Sequence, residues 1–235
     1  MIAPTFTVAE LRAAVHGLQA GNFRTNTDGW PNNRSLVAVM GVGGGVGTTV
    51  TALAIAETLE AARLVELSQP WASGLAEATT SELGEQDGWR LGTRNGLLIE
   101  RRQQPTANIR NTPGVAVVDV GSWTGGTPPV PESVPLVVVA RCSVPSLRRL
   151  SILLETLVEP PAAVVVVGAP VRSWPKAVTA SLSPVLRSAI TEDLIATVPE
   201  CSNLSRCGVT GAVLPKPLLV AVARFVDDLE VDPSC

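Results

Sequence analysis

Met40-Gly41-Val42-Gly43-Gly44-Gly45-Val46-Gly47-Thr48-Thr49 is the stretch on which the fold is decided. It follows the apolar run Leu36 to Met40, which reads as a buried strand, and precedes a helical pattern from about Thr49 to Ala61. Glycines in that place let the backbone wrap closely and aim successive N–H groups at an anion beside a helix N-terminus. A strand, a glycine loop and a helix in this order form a phosphate cradle.

Outward from the loop, short β-branched runs alternate with helical stretches, the pattern of a parallel sheet buried on both faces. Strands are expected at Leu64 to Leu67, Val115 to Val120, Leu136 to Ala140, Ala163 to Val167 and Leu194 to Val198. Helices are expected at Ser73 to Leu83, Ser146 to Val158, Lys176 to Leu186 and Pro217 to Leu229, with an edge strand at Gly96 to Glu100. The expected fold class is α/β: a single doubly wound sheet of roughly five or six mostly parallel strands with helices on both faces. Residues 1–34 read as a separate N-terminal segment, a short helix with apolar Val8, Leu11, Val15 and Leu18 followed by an irregular arm anchored by Trp30, and residues 35–235 as the main domain.

Composition narrows the function classes. A net charge of -3 and a pI near 5.3 argue against attraction of nucleic acid through overall charge, so nucleic acid is not expected as a partner of this domain alone. Asp227, Asp228, Glu230 and Asp232 disfavour a basic amphipathic helix at the end of the sequence, and direct membrane binding is not expected. The apolar runs are far shorter than the roughly 20 residues that span a bilayer. Cys142, Cys201, Cys207 and Cys235 form no CxxC pair and His16 is distant in sequence, so neither zinc nor haem is expected. With no cleavable apolar leader evident, the thiols are expected reduced and the chain cytoplasmic.

Two cradle designs compete for the loop. Gly41 to Val46 loosely approximates the dinucleotide pattern G-x-G-x-x-G, with Glu66 as the acidic partner at the end of the second strand. Alternatively, Gly44-Gly45-Val46-Gly47-Thr48-Thr49 aligns with the core of a deviant Walker A loop, and here the chain resembles the ParA/MinD superfamily of P-loop ATPases, whose loop is typically K-G-G-V-G-K-T-T. Val117-Val118-Asp119-Val120-Gly121 resembles its Walker B-type strand, Leu64 to Ser68 its Asp-x-Asp strand with Glu66 and Ser68 at the two aspartates, and Ala196-Thr197-Val198-Pro199-Glu200 the segment near its adenine site. The resemblance spans about residues 35 to 230 and is close in character to CpaE/TadZ-type members and to ParA-like proteins of actinobacteria.

What the resemblance implies is a P-loop NTPase-like fold, ATP or ADP with Mg as the ligand, and a homodimer acting on a protein partner in positioning, partition or assembly. Carried over by position, Gly43, Gly44, Gly45, Val46, Gly47, Thr48, Thr49 and Pro199 would contact nucleotide, Thr49 and Asp119 would hold Mg, and Glu66 and Asp119 are the catalytic candidates. The chain departs from the family where charge matters: Gly43 and Thr48 stand at its two loop lysines, and Gly168 stands at an asparagine. Lysines there place positive charge where negative charge builds during phosphoryl transfer, and their loss costs on the order of a hundredfold or more in rate. ATPase activity is accordingly expected weak or absent, unless an arginine (Arg90, Arg94, Arg101 and Arg102 are the candidates) or a partner residue completes the site.

Overall fold

The computed structural model describes residues 29–31, 35–229 and 231, so the helix expected before Gly21 and most of the arm after it lie outside the described residues. The strands are β1 (Leu36–Gly41), β2 (Arg63–Glu66), β3 (Ser81–Gln86), β4 (Trp89–Arg94), β5 (Leu97–Arg102), β6 (Ala116–Ser122), β7 (Leu136–Arg141), β8 (Ala163–Val167) and β9 (Ile195–Val198). The helices are α1 (Thr48–Thr58), α2 (Val144–Thr156), α3 (Lys176–Ala180), α4 (Pro184–Thr191), α5 (Ser202–Cys207) and α6 (Lys216–Val226). All nine strands form one sheet in the order β3-β4-β5-β2-β6-β1-β7-β8-β9.

From β5 to β9 every neighbouring pair is parallel, while β3-β4 and β4-β5 are antiparallel. The expected mostly parallel α/β sheet is the one observed, larger than expected by an antiparallel margin. Its direction of winding reverses at β1. The chain leaves β1 through α1 toward β2, but leaves β7 through α2 toward β8, on the other side of β1. Right-handed crossovers in opposite directions put α1 and α2 on opposite faces. Contacts agree: α1 packs against β6 and α6, and α2 packs against β7 and α4.

The residues of α1 explain its central place. Thr51 through Ala56 are all buried, so this helix has no wet face along its middle, and its alanines let it sit closely between the sheet and α6. β1 is likewise buried at every position.

Three expectations are corrected. No helix covers Ser73 to Leu83; a single 3-10 turn at Pro70–Ala72 leads instead to β3, which pairs with β4. Asp87-Gly88 and Asn95-Gly96, all four at positive φ, form the two tight turns that make β3-β4-β5 a meander. Those dipeptides match the twist of antiparallel strands. The strand expected at Gly96 to Glu100 is β5, and it lies inside the sheet between β4 and β2. The helix expected from Lys176 to Leu186 is two helices, because Pro184 holds Ser183 extended and the Ser183 hydroxyl then caps α4 by accepting from the Leu186 N–H.

One buried arginine ties the meander to the parallel part. Arg94, wholly buried at the end of β4, donates to Glu57 Oε1 of α1 at 2.7 Å, to the Thr210 carbonyl at 2.6 Å and to the Ala212 carbonyl at 2.5 Å. A further bond runs to the Ala78 carbonyl at 3.2 Å. Arg94→Ala leaves these acceptors without their donor, and urea denaturation is expected to show a loss of about 3–5 kcal/mol, the cost of breaking a buried pair.

Candidate functional site

The reversal of winding opens a crevice at the C-terminal ends of β1 and β7, where ligands of open α/β sheets bind. A cleft of about 1250 Å³ occupies it. The glycine loop and the first turn of α1 form its floor, the end of β6 and the loop after it (residues 120–129) one wall, and Arg141, Val167 and the Val198–Ser205 connection another.

The loop closes through its own residues. Gly47, with φ 100, turns the chain into α1, a left-handed conformation that other residues rarely adopt. Thr48 is buried, with its hydroxyl packed on Gly41, where any Cβ would overlap it. Gly44 is different: its φ is not positive and nothing stands within 4 Å of the Cβ it lacks. Gly44, Gly45, Val46, Gly47, Thr48, Thr49 and Pro199 all line the cleft. Gly43 is buried and lies under the guanidinium of Arg149 from α2, so an arginine covers one lysine position from outside the loop.

Asp119 sits beneath this floor. Between Val39 and Met40 the β1-β6 register slips by a residue, and Asp119 Oδ1 accepts from the Gly121 N–H at 2.9 Å across that irregularity. Burial raises the Asp119 carboxyl above its ordinary range, opposed by hydrogen bonds from Thr49 and Gly121. Its other oxygen, Oδ2, is buried and without a hydrogen-bond partner. An unpartnered buried carboxylate oxygen beside a threonine that lines the cleft fits the demands of a hard divalent cation.

Glu66 is paired in register with Asp119 on the adjacent strand but has a different occupation. Its Oε2 accepts from the Ser73 hydroxyl at 2.5 Å and its Oε1 from the Gly74 N–H at 2.6 Å, so both oxygens hold the turn after the 3-10 segment. It does not line the cleft; Leu67 and Ser68 after it do. The carboxyl expected to anchor a ribose in the dinucleotide alternative, or to take part in catalysis, is thus engaged in fixing the Ser73–Gly74 turn against Thr49.

The four arginines expected to supply charge are mostly committed elsewhere. Arg94 is buried as described, Arg101 pairs with Glu82 at 2.5 Å, and Arg90 pairs with Glu82 at 3.0 Å on the exposed margin. Arg102 lines the cleft and donates to the Leu67 carbonyl. The arginine that both lines the cleft and touches the glycine loop is Arg141, which is not among those four. Its Nη1 donates to the Gly45 carbonyl at 3.3 Å and its Nη2 pairs with Glu200. That bond holds the Glu200 carboxyl below its ordinary range. Arg141 ends the strand beside β1, and the switch-point rule would have pointed to it.

Gly168 is explained by space. Gly168, with φ 140, lies where a Cβ would come within 2.8 Å of Cys142 Cβ, so the asparagine of the resembled family has no room here. Of the tryptophans, Trp30, Trp71 and Trp123 line the cleft, whereas Trp89 is buried and donates to the Asn108 carbonyl at 3.1 Å. Among the described residues no group of three or more His, Cys, Asp or Glu side chains is placed to hold a metal ion. No described helix is long and apolar enough to cross a membrane.

No family model matches the sequence, and no curated protein does. Among solved structures the chain is similar to a nucleotide-binding protein from Archaeoglobus fulgidus in complex with ADP, with cobalt, at 15% sequence identity and a TM-score of 0.45, over 77% of this chain and 89% of that chain.

The paired acids make stability depend on pH. Burial pushes the Glu66 carboxyl from 4.5 up to about 7, with the neighbouring Asp119 adding to the rise and the Ser73 and Gly74 bonds opposing it. The folded chain therefore keeps a proton that the unfolded chain releases, and the stabilisation present below about pH 4.5 is lost as pH rises toward 7, by about 3 kcal/mol. Glu66→Gln, which keeps the shape, is expected to flatten the fall in urea midpoint between pH 5 and 8. An unchanged slope would show that Glu66 is ionised throughout.

Proposed function

We propose that this chain is a nucleotide-binding P-loop protein of the ParA/MinD-like kind, with weak or absent ATP hydrolysis, that acts through dimerisation and a protein partner in positioning, partition or assembly of a larger apparatus. The observation that carries nucleotide binding is the cleft on the glycine loop at the switch point. The first N–H groups of α1 have no partners within the helix, so this floor favours an anion. Gly44 supports the same reading, because neither its backbone conformation nor any neighbour in the chain requires a glycine there, whereas close approach of a phosphate does.

Thr49 and Asp119 are the residues that would hold Mg, which when bound neutralises phosphate charge. Weak turnover follows from Thr48: it fills the inside of the loop with an uncharged side chain packed on Gly41. Dimerisation and partner binding rest on the resemblance of the loop, of the Asp119 strand and of the Pro199 segment. A second reading, an active NTPase completed by an arginine, draws on the placement of Arg141 at the loop.

Isothermal titration with ATP, ADP and NAD in the presence of Mg tests the binding. ADP and ATP are expected to bind and NAD to bind much more weakly, with Asp119→Asn lowering Mg-dependent affinity about tenfold. Tighter binding of NAD than of ADP would overturn the reading. Turnover is expected to be negligible with or without candidate partners, and robust Mg-dependent hydrolysis that Thr49→Ala abolishes would establish the active NTPase instead. Light scattering with and without ATP reads the dimer.

A further inference from the structure

Arg141 leaves β7 on the side of β1 away from β6, and its guanidinium lies between the glycine loop and the connection from β9 to α5. Its bond to the Gly45 carbonyl is long, at 3.3 Å, and its strong partner is Glu200. Glu200 Oε1 also accepts from the hydroxyl of Ser205, on α5, at 3.2 Å. The three side chains thus form a chain from the loop to α5. Both charged partners are partly exposed, 38% for Arg141 and 44% for Glu200, and ion pairs so placed are held weakly and rearrange readily.

The charge balance of the cleft makes this pair informative. Gly43 and Thr48 bring no cation, Arg149 covers Gly43 without lining the cleft, and Arg102 lines it from β5 with its guanidinium bonded to the Leu67 carbonyl rather than to the loop. A polyphosphate entering the cleft meets Arg141, already on the loop, with a carboxylate on its other side. A guanidinium recognises a phosphate through two parallel N–H donors, and a phosphate chain bears more negative charge than Glu200. Exchange of one anion for the other keeps the arginine paired.

We propose, on the basis of the nucleotide-binding reading above, that Arg141 is the phosphate-recognising cation of the cleft and that a nucleoside di- or triphosphate displaces Glu200 from it. Displacement frees Glu200 from the loop, and with it the α5 residue Ser205 that is bonded to it. Nucleotide occupancy is thereby reported at α5, on the surface beside the cleft, without any phosphoryl transfer. A protein with this device distinguishes its loaded and empty states even where hydrolysis is lost.

The test is titration of the full chain with ADP, ATP and adenosine in Mg, using wild type, Arg141→Ala, Arg141→Lys and Glu200→Gln, with thermal melting to confirm folding. Arg141→Ala is expected to weaken ADP and ATP about ten- to a hundredfold while leaving adenosine unchanged, and Arg141→Lys to recover part of the loss. Glu200→Gln, which removes the competing charge and keeps the shape, is expected to tighten ADP severalfold. In wild type, ADP is expected to speed amide hydrogen exchange over residues 200–208; in Glu200→Gln exchange there is fast from the start and ADP leaves it unchanged. Wild type that binds ADP, with the same affinity in Arg141→Ala or an equal loss for adenosine, overturns the role of Arg141 and leaves the cleft a nucleotide site. Wild type that binds no ADP overturns the underlying reading, and this one with it. If Arg141→Ala does not fold, unaltered ADP affinity in both Arg141→Lys and Glu200→Gln is the overturning result.

Discussion

The Thr48 side chain packed back on Gly41 closes the turn between β1 and α1, and the rest of the architecture hangs on that closure. A wider turn would carry α1 off the sheet, where its continuous buried surface from Thr51 to Ala56 has nowhere else to go. Held tightly, α1 lies over β6 and under α6, and so joins the end of the chain to its first described strand. The same closure sets the cleft floor, since the loop can present its backbone to a ligand only if its interior is already filled from within. In this chain the Thr48 hydroxyl and a Val46 methyl do the filling.

Around that floor the charges are arranged in two layers. Below it, Glu66 and Asp119 lie side by side in register, and burial raises both carboxyls. They differ in what they face: Glu66 has both oxygens taken by Ser73 and Gly74, whereas Asp119 keeps one buried oxygen without a partner. Two buried carboxylates so close favour one proton between them, and the partnerless oxygen is the one whose cost a bound cation would remove. Above the floor stand Arg102, which donates to the Leu67 carbonyl, and Arg141, paired with Glu200 near the surface, where water screens the pair and exchange is easy.

How much of this was legible follows from which constraints are local. The parallel strands and α1 were readable because burial on both faces forces continuous apolar runs, and the glycine loop because it stands between one such run and a helical pattern. Of the meander only β5 matches an expected strand; β3 begins inside the helix expected at Ser73 to Leu83 and β4 has no counterpart among the expected elements, although Asp87-Gly88 and Asn95-Gly96 stand between six-residue segments with the turn chemistry of hairpins. The exposed face of β3 misled because all six of its residues are wet, so it carries no apolar alternation at all. Pro184 splitting one expected helix was a local signal outweighed by apolar spacing on both sides. The occupation of Glu66 was not legible, since it depends on Ser73 and Gly74 folding back from a turn that no periodicity announces.

Arg141 shows the remaining gap between sequence and site. In the sequence it is one of sixteen arginines at the end of an apolar strand, with nothing nearby to mark it. Its placement comes from strand order: β7 is the neighbour of β1 on the side where the winding turns outward, so the residue that ends β7 necessarily stands beside the loop that ends β1. A lysine within the loop is fixed to the phosphate site by a few bonds of its own backbone. An arginine from the neighbouring strand reaches the same place on a long side chain and has a choice of partners on the way. The first arrangement suits a group that must hold charge through a transfer reaction; the second suits one that changes partner when the ligand arrives. On the proposed reading, a loop without lysines leaves Arg141 to move between two anions, and mobility of that kind links occupancy to shape rather than to bond cleavage.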